Sequence, residues 1–177
     1  MKDTDQQALI TAFSRSWTLL LGYDDQTIVS PTERQDNMVA LSLDQVLTAL
    51  AAFKQYLMDK QEASELFGRL RGDGLASALA TIEQGFGDEL FYPNVASRAA
   101  HLLYFVIKNH PLTDGNKRTG AFLFLWYLHL NQHLLARPVD QLINDNTLVA
   151  VALLVAESQP DQKAMVIRLV ENFILLR

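Results

Sequence analysis

The sequence predicts an all-α domain of about seven or eight helices, because apolar residues recur at helical spacing along most of the chain. Two further observations support that class. Alternating strand patterns are few, and no Pro-, Gly- or Ser-rich linker divides the 177 residues, so one domain over residues 1–177 is expected. A chain of this length buries roughly two thirds of the surface its unfolded form exposes. With 49% hydrophobic and 20% charged residues, its composition suits a self-sufficient globular core.

From Thr4 to Leu21, the residues Leu9, Ile10, Phe13, Trp17, Leu20 and Leu21 keep helical spacing, and Gly22 supplies a stop. The next stretch, YDDQTIVSPTERQDNMV, has no sustained period and holds Pro31. It reads as a connection with a short strand near Thr27 to Ser30, and as the best candidate for a mobile segment. Ser42 followed by Gln45 has the form of a capping box for a helix through Val46, Leu50, Phe53 and Leu57 to Lys60. A shorter helix is expected up to Arg71. Asp73 is placed to cap GLASALATIEQ, which Gly85 and Gly87 then stop. Asn94 is the expected N-cap of Val95 to Asn109, and a helix apolar on all sides follows from Asn116 to Asn131, as in the buried centre of a bundle. Arg137 and Pro138 break the pattern. Asn144 to Glu157 resumes it, and Pro160 with Asp161 opens a last helix through Phe173.

Composition removes several functional classes. The net charge is −5, from 15 Lys and Arg against 20 Asp and Glu, which argues against nucleic acid as a partner. There is no cysteine, so disulfide frameworks, thiolate metal sites and thiol redox chemistry are excluded. The N-terminal MKDTDQQALITAF lacks the basic and then apolar order of a signal peptide, and the apolar run Ala121 to Leu130 is too short to span a bilayer. A cytoplasmic protein without a membrane partner is the expectation.

The stretch HPLTDGNKRTG, residues 110 to 120, interrupts the most apolar part of the chain. Pro111 stops the preceding helix and leaves His110 at its end, where an imidazole titrating near neutrality suits a general base. Gly115 precedes a helix N-terminus whose unpaired N–H groups favour an anion. Lys117 adds a positive charge and Arg118 a planar fork for phosphate oxygens. Asp114 among these cations fits a ligand for a hard divalent ion such as Mg2+. On residue types alone a second reading stands beside this one: a Pro-Gly loop between helices, with Asp114 capping the second.

The order of the residues resembles the central motif of the Fic and Doc (Fido) families, H-x-F-x-D/E-G/A-N-G/K-R. The match covers His110, Asp114, Gly115, Asn116, Lys117 and Arg118, and departs at Leu112, where phenylalanine is usual. The neighbouring helices and the GFGDELFYPN segment look like bacterial Fido domains at the C-terminus of RhuM-type virulence proteins, so the resemblance implies a C-terminal part of a longer protein. It also implies that His110 deprotonates a Ser, Thr or Tyr hydroxyl of a target protein and that Asp114 holds Mg2+ with the phosphates of ATP. Gly115, Asn116 and Lys117 would form the anion hole, and Arg118 would bind phosphate. Asn116 thereby joins His110 and Arg118 in the catalytic set. Phe86, Gly87, Asp88, Glu89, Leu90, Phe91 and Tyr92 would form the flap, a short β-hairpin that adds a strand to the target.

Two departures bear on the reaction. AMP-transferring Fic enzymes usually carry glycine at the position of Lys117 and a second arginine at that of Ala121. Lysine without that arginine resembles the Doc pattern, which implies transfer of the γ-phosphate. AMP transfer is the alternative, and an inactive nucleotide-binding or protein-interaction module the second alternative. The inhibitory S/T-x-x-x-E-G/N helix of many Fic enzymes is approached only by Glu171 and Asn172, with Ile167 in the Ser/Thr position. Regulation is therefore expected from a separate antitoxin or from a region outside this sequence. His129 and His133 have the spacing of a metal pair but no third ligand, so they read as solvent-facing, and His101 as a structural histidine.

Overall fold

A computed structural model describes residues 3–177. Among the described residues the chain runs through α1 (Asp3–Ala12), α2 (Ser14–Asp24), α3 (Leu43–Asp59), α4 (Gly74–Thr81), the hairpin β1 (Gly85–Phe86) and β2 (Glu89–Leu90), α5 (Val95–Asn109), α6 (Asn116–Leu130), α7 (Val139–Leu142), α8 (Asp145–Glu157) and α9 (Lys163–Phe173). The fold is an all-α bundle carrying one antiparallel hairpin, as the sequence indicates. Nine helices replace the seven or eight expected, for three local reasons. The first predicted helix is interrupted at Phe13, the four-residue α7 forms after Pro138, and the helix expected up to Arg71 is absent. Among the described residues no helix is long and apolar enough to cross a membrane.

Three helices start on side-chain caps readable from the sequence. Ser42 accepts from the Gln45 N–H at 3.2 Å, Asn94 from Ser97 at 2.9 Å and Asn144 from Thr147 at 2.9 Å, each satisfying an N–H that the helix leaves unpaired. Asp73 occupies the N-cap position of α4 but makes no capping bond. Gly22 does not end α2. It lies inside the helix with its backbone against Ile28, and the turn comes later, at Gln26 with φ 57°.

The centre of the bundle is α5, whereas the sequence points to α6. Eleven of the fifteen residues of α5 are buried, because α4, α6, α8 and α9 all pack around it. The close seam is at Gly120, where an added Cβ would stand 2.9 Å from Ile107 Cγ1. The outer face of α6 is only half covered: Phe122 stacks on Phe53 at 5.1 Å and meets the tilted ring of Trp126 at 5.8 Å. The apolar stripe of α1 and α2 also lacks cover, since Leu9, Ile10, Phe13, Trp17, Leu20 and Leu21 are all exposed.

Residues 27–36 form neither the expected strand nor an untethered segment. Asn94 donates to the carbonyls of Pro31 and Glu33, and Asn172 donates to that of Val29. Gln35 donates to the Leu134 carbonyl and accepts from Val95, while Ile28 is buried. Side-chain amides thus satisfy the backbone that a strand partner would otherwise serve.

Glu171, on α9 and 1% exposed, accepts from the Ser30 hydroxyl at 2.8 Å. Burial pushes its carboxyl pKa up, and the bond from Ser30 opposes that shift. Stability gained by burying the neutral acid is complete below the ordinary carboxylate range and is lost as pH rises through the raised value. Replacing Glu171 with Gln, neutral at every pH, should leave the melting temperature almost unchanged near about pH 4 and raise it by roughly 2–4 °C near about pH 8. Parallel melts at the two pH values check this, and equal differences at both would refute it.

Candidate active site

Pro111 removes the backbone donor and the α conformation that would prolong α5. His110 consequently takes the left-handed C-cap conformation, φ 48° and ψ 58°, with its side chain exposed. Five residues later Gly115, at φ 87°, is the N-cap of α6. The first backbone bond of that helix is from Thr119 to the Gly115 carbonyl, at 2.8 Å. The N–H groups of Asn116, Lys117 and Arg118 thus have no intrahelical acceptor, and such an end favours an anion.

Two braces hold the loop between these helices. The Asn116 side chain accepts from the Leu112 N–H and donates to the Leu112 carbonyl, both at 2.9 Å. Its Nδ2 also stands 3.5 Å from His110 Nδ1, at the outer limit of a hydrogen bond. The second brace is the segment that the sequence assigned to a helix. Residues 61–72 instead run beside the loop as a strap, with Gly68 donating to the Asp114 carbonyl at 3.0 Å, Thr113 to Arg69 at 2.8 Å and Arg71 to Pro111 at 2.8 Å. Gly68 and Gly72 sit at φ 73° and 65°, which a continuing helix forbids.

Phe67, at the middle of the strap and fully buried, joins the site to the core. A Cβ on Gly115 would stand 2.4 Å from its ring, so glycine is required there by space as well as by φ. The Arg118 guanidinium lies 4.7 Å from the Phe67 ring centroid and donates to the Glu62 carbonyl at 2.7 Å. Phe53 then meets Phe67 edge to face at 5.4 Å.

His110, Asp114, Gly115, Asn116, Lys117 and Arg118 converge on one cavity of about 560 Å3. Its far wall is Lys108, Ala156 and Glu157, and Thr113 completes the loop side. Sequence reasoning missed these four and Phe67. Lys108 is held by the carbonyls of Ala156 at 3.2 Å and Ser158 at 2.7 Å, which closes the C-terminal end of α8 against α5. No local signal in the sequence marks that pairing.

The predicted flap is a hairpin with Gly85 opposite Leu90 and Phe86 opposite Glu89. Gly87, at φ 61°, forms the turn with Asp88. Phe86 and Phe91 are 79% and 56% exposed, while Tyr92 lies beyond the strand and meets the His101 ring at 4.5 Å. None of residues 86–92 lines the cavity. His101 is structural, as expected: its Nδ1 pairs with the Ser97 carbonyl at 2.7 Å, and burial holds its pKa below the ordinary value. His129 and His133 do not share a helix face, because α6 ends at Leu130 and His133 lies in a 3-10 turn against the Asn37 carbonyl. Among the described residues no group of three or more His, Cys, Asp or Glu side chains is placed to hold a metal ion by itself.

Fold and site together define a helical domain with one hairpin, in which a histidine-ended helix opens onto a loop that leads into the N-terminus of the next helix. Residues 40–128, half of the chain, match the model of the family described as Fic/DOC, and the chain belongs to that family. Over 49 residues it is 43% identical to a protein named Toxin Doc from Mycolicibacterium smegmatis. That stretch is 28% of this chain and 38% of the relative, so the similarity spans well under half of either protein. No solved structure gives a significant match to the chain.

Proposed function

We propose that this chain, folded as one Fido domain in the cytoplasm, moves a phosphate-containing group from Mg-ATP to a hydroxyl of a target protein. The observation that carries the reading is one cavity gathering an exposed histidine, a helix N-terminus, the carboxylates of Asp114 and Glu157 and the cations Lys108, Lys117 and Arg118. Its volume is that of a small-ligand pocket. The free amides of Asn116 to Arg118, with Lys117 and Arg118 beside them, fit the phosphates of ATP. Asp114 supplies the one carboxylate that Mg2+ needs when phosphates and water complete its shell. Mg-ATP, when bound, supplies the electrophilic phosphorus.

The residues of the chain then position and deprotonate. His110 at the helix end would take the proton from the attacking hydroxyl. Asn116 holds the loop backbone at Leu112 and so keeps His110 and Asp114 in fixed relation. The ring of Phe67 and the Glu62 carbonyl hold Arg118 against the cavity rim, ready to meet charge on the phosphate without reorganising. Lys117 and Ala121 favour transfer of the γ-phosphate. The name Toxin Doc of the relative favours a toxin role, with a separate antitoxin protein as regulator. Internal inhibition by Glu171 is disfavoured, because that carboxylate is engaged by Ser30 and Ser97 near the start of α5, roughly 20 Å along the helix from His110.

The test is transfer from ATP labelled at the α- or the γ-phosphate to proteins of a cell lysate. Label from the γ-position is expected. Label from the α-position would establish AMP transfer instead, and none from either would favour a binding module.

A further inference from the structure

The flap hairpin is exposed at its tip, yet both of its stems lead to one buried side chain. Arg98, on the first turn of α5 and 5% exposed, donates from Nε to the Tyr92 carbonyl just after β2, at 2.9 Å. From Nη1 it donates to the Glu83 carboxylate just before β1, in the best-buried ion pair among the described residues. A second arginine, Arg34, donates to the Asp88 carbonyl at the hairpin tip. The segment carrying Arg34 is itself anchored to the start of α5 through Asn94 and Gln35.

Two strands of two residues cannot hold their own orientation, so these tethers set it. Stability does not account for the choice of arginine, since a buried ion pair is often matched or bettered by apolar residues of similar volume. What arginine adds is a rigid planar fork that keeps two acceptors in fixed relation. Here the two acceptors are the two ends of one hairpin.

We infer that Arg98 is a positioning residue for the protein target. It fixes the angle at which the flap receives an extended target segment, and hence the approach of the target hydroxyl to His110. This inference rests on the transferase reading above.

Arg98→Lys keeps the charge and loses the fork, and Glu83→Gln takes the negative charge out of one tether, weakening it while keeping the shape. The readouts are the Mg-ATP shift in melting temperature, hydrogen exchange of residues 84–92, and label transfer from ATP across a lysate concentration series. For either variant that folds, the nucleotide shift should match the parent while flap amides exchange at least about tenfold faster. Transfer should fall at least about tenfold at low lysate and recover at high lysate, a KM effect. Unchanged flap exchange, or a loss of transfer equal at every lysate concentration, overturns the inference. If Arg98→Lys does not fold, Glu83→Gln decides by the same criteria. A parent protein that transfers no label refutes the transferase reading, and flap exchange in the variants still decides whether Arg98 holds the hairpin.

Discussion

Replacing His110 with alanine is expected to lower label transfer by about 10²–10⁴-fold, the range over which a positioned general base acts. The same variant should keep a melting temperature within roughly 2 °C of the parent. Its side chain is exposed, and its contact to Asn116 is at the limit of bonding, so little packing is lost. The left-handed backbone at φ 48° strains alanine and histidine alike, so that term cancels. Transfer rate and thermal melt measured on one preparation separate the two effects. An alanine variant as active as the parent would show that the proton leaves by another route.

Gly115→Ala should act in the opposite way, through structure first. The residue sits at φ 87°, where a Cβ costs about 1–2 kcal/mol. The added carbon would also stand 2.4 Å from the buried Phe67 ring, and forced overpacking costs about 1–3 kcal/mol. The sum predicts a melting temperature lower by roughly 4–15 °C. It also predicts weaker nucleotide binding, because displacing Phe67 moves the ring that carries Arg118. Phe67→Ala on the Gly115→Ala background should relieve the clash, so the two losses should be less than additive. Strictly additive losses would refute the contact.

Where the sequence was legible, the bonds involved were short in sequence. Ser42 and Asn94 each cap a helix through the N–H three residues on, where their residue types place those starts, and Asn144 does the same where the helical pattern resumes, whereas Asp73 makes no capping bond. His110 to Arg118 are brought to one cavity by a single turn between two helices. Gly85 and Gly87 marked the end of the helix before them, and the hairpin that the family resemblance implied over residues 86–92 pairs Gly85 with Leu90 and Phe86 with Glu89. The segment up to Arg71 shows the converse: its composition suits a helix, but its carbonyls and amides find partners at Pro111 to Asp114, and it becomes a strap. Likewise the apolarity of α6 suggested the centre of the bundle, whereas centrality depends on how many neighbours a helix receives, and α5 receives more.

The helical class, the caps at Ser42 and Asn94 and the ordered set of groups from His110 to Arg118 are legible along the chain, because propensity, capping and a nine-residue motif act over a few positions. Packing between distant elements is what makes Phe67 require glycine at 115 and support Arg118, makes Lys108 close the end of α8, and lets Arg98 bind both stems of the flap. Each of these is a meeting between elements whose separation in the chain carries no signal. A phenylalanine, a lysine or an arginine has many possible partners until packing brings one within a few ångströms.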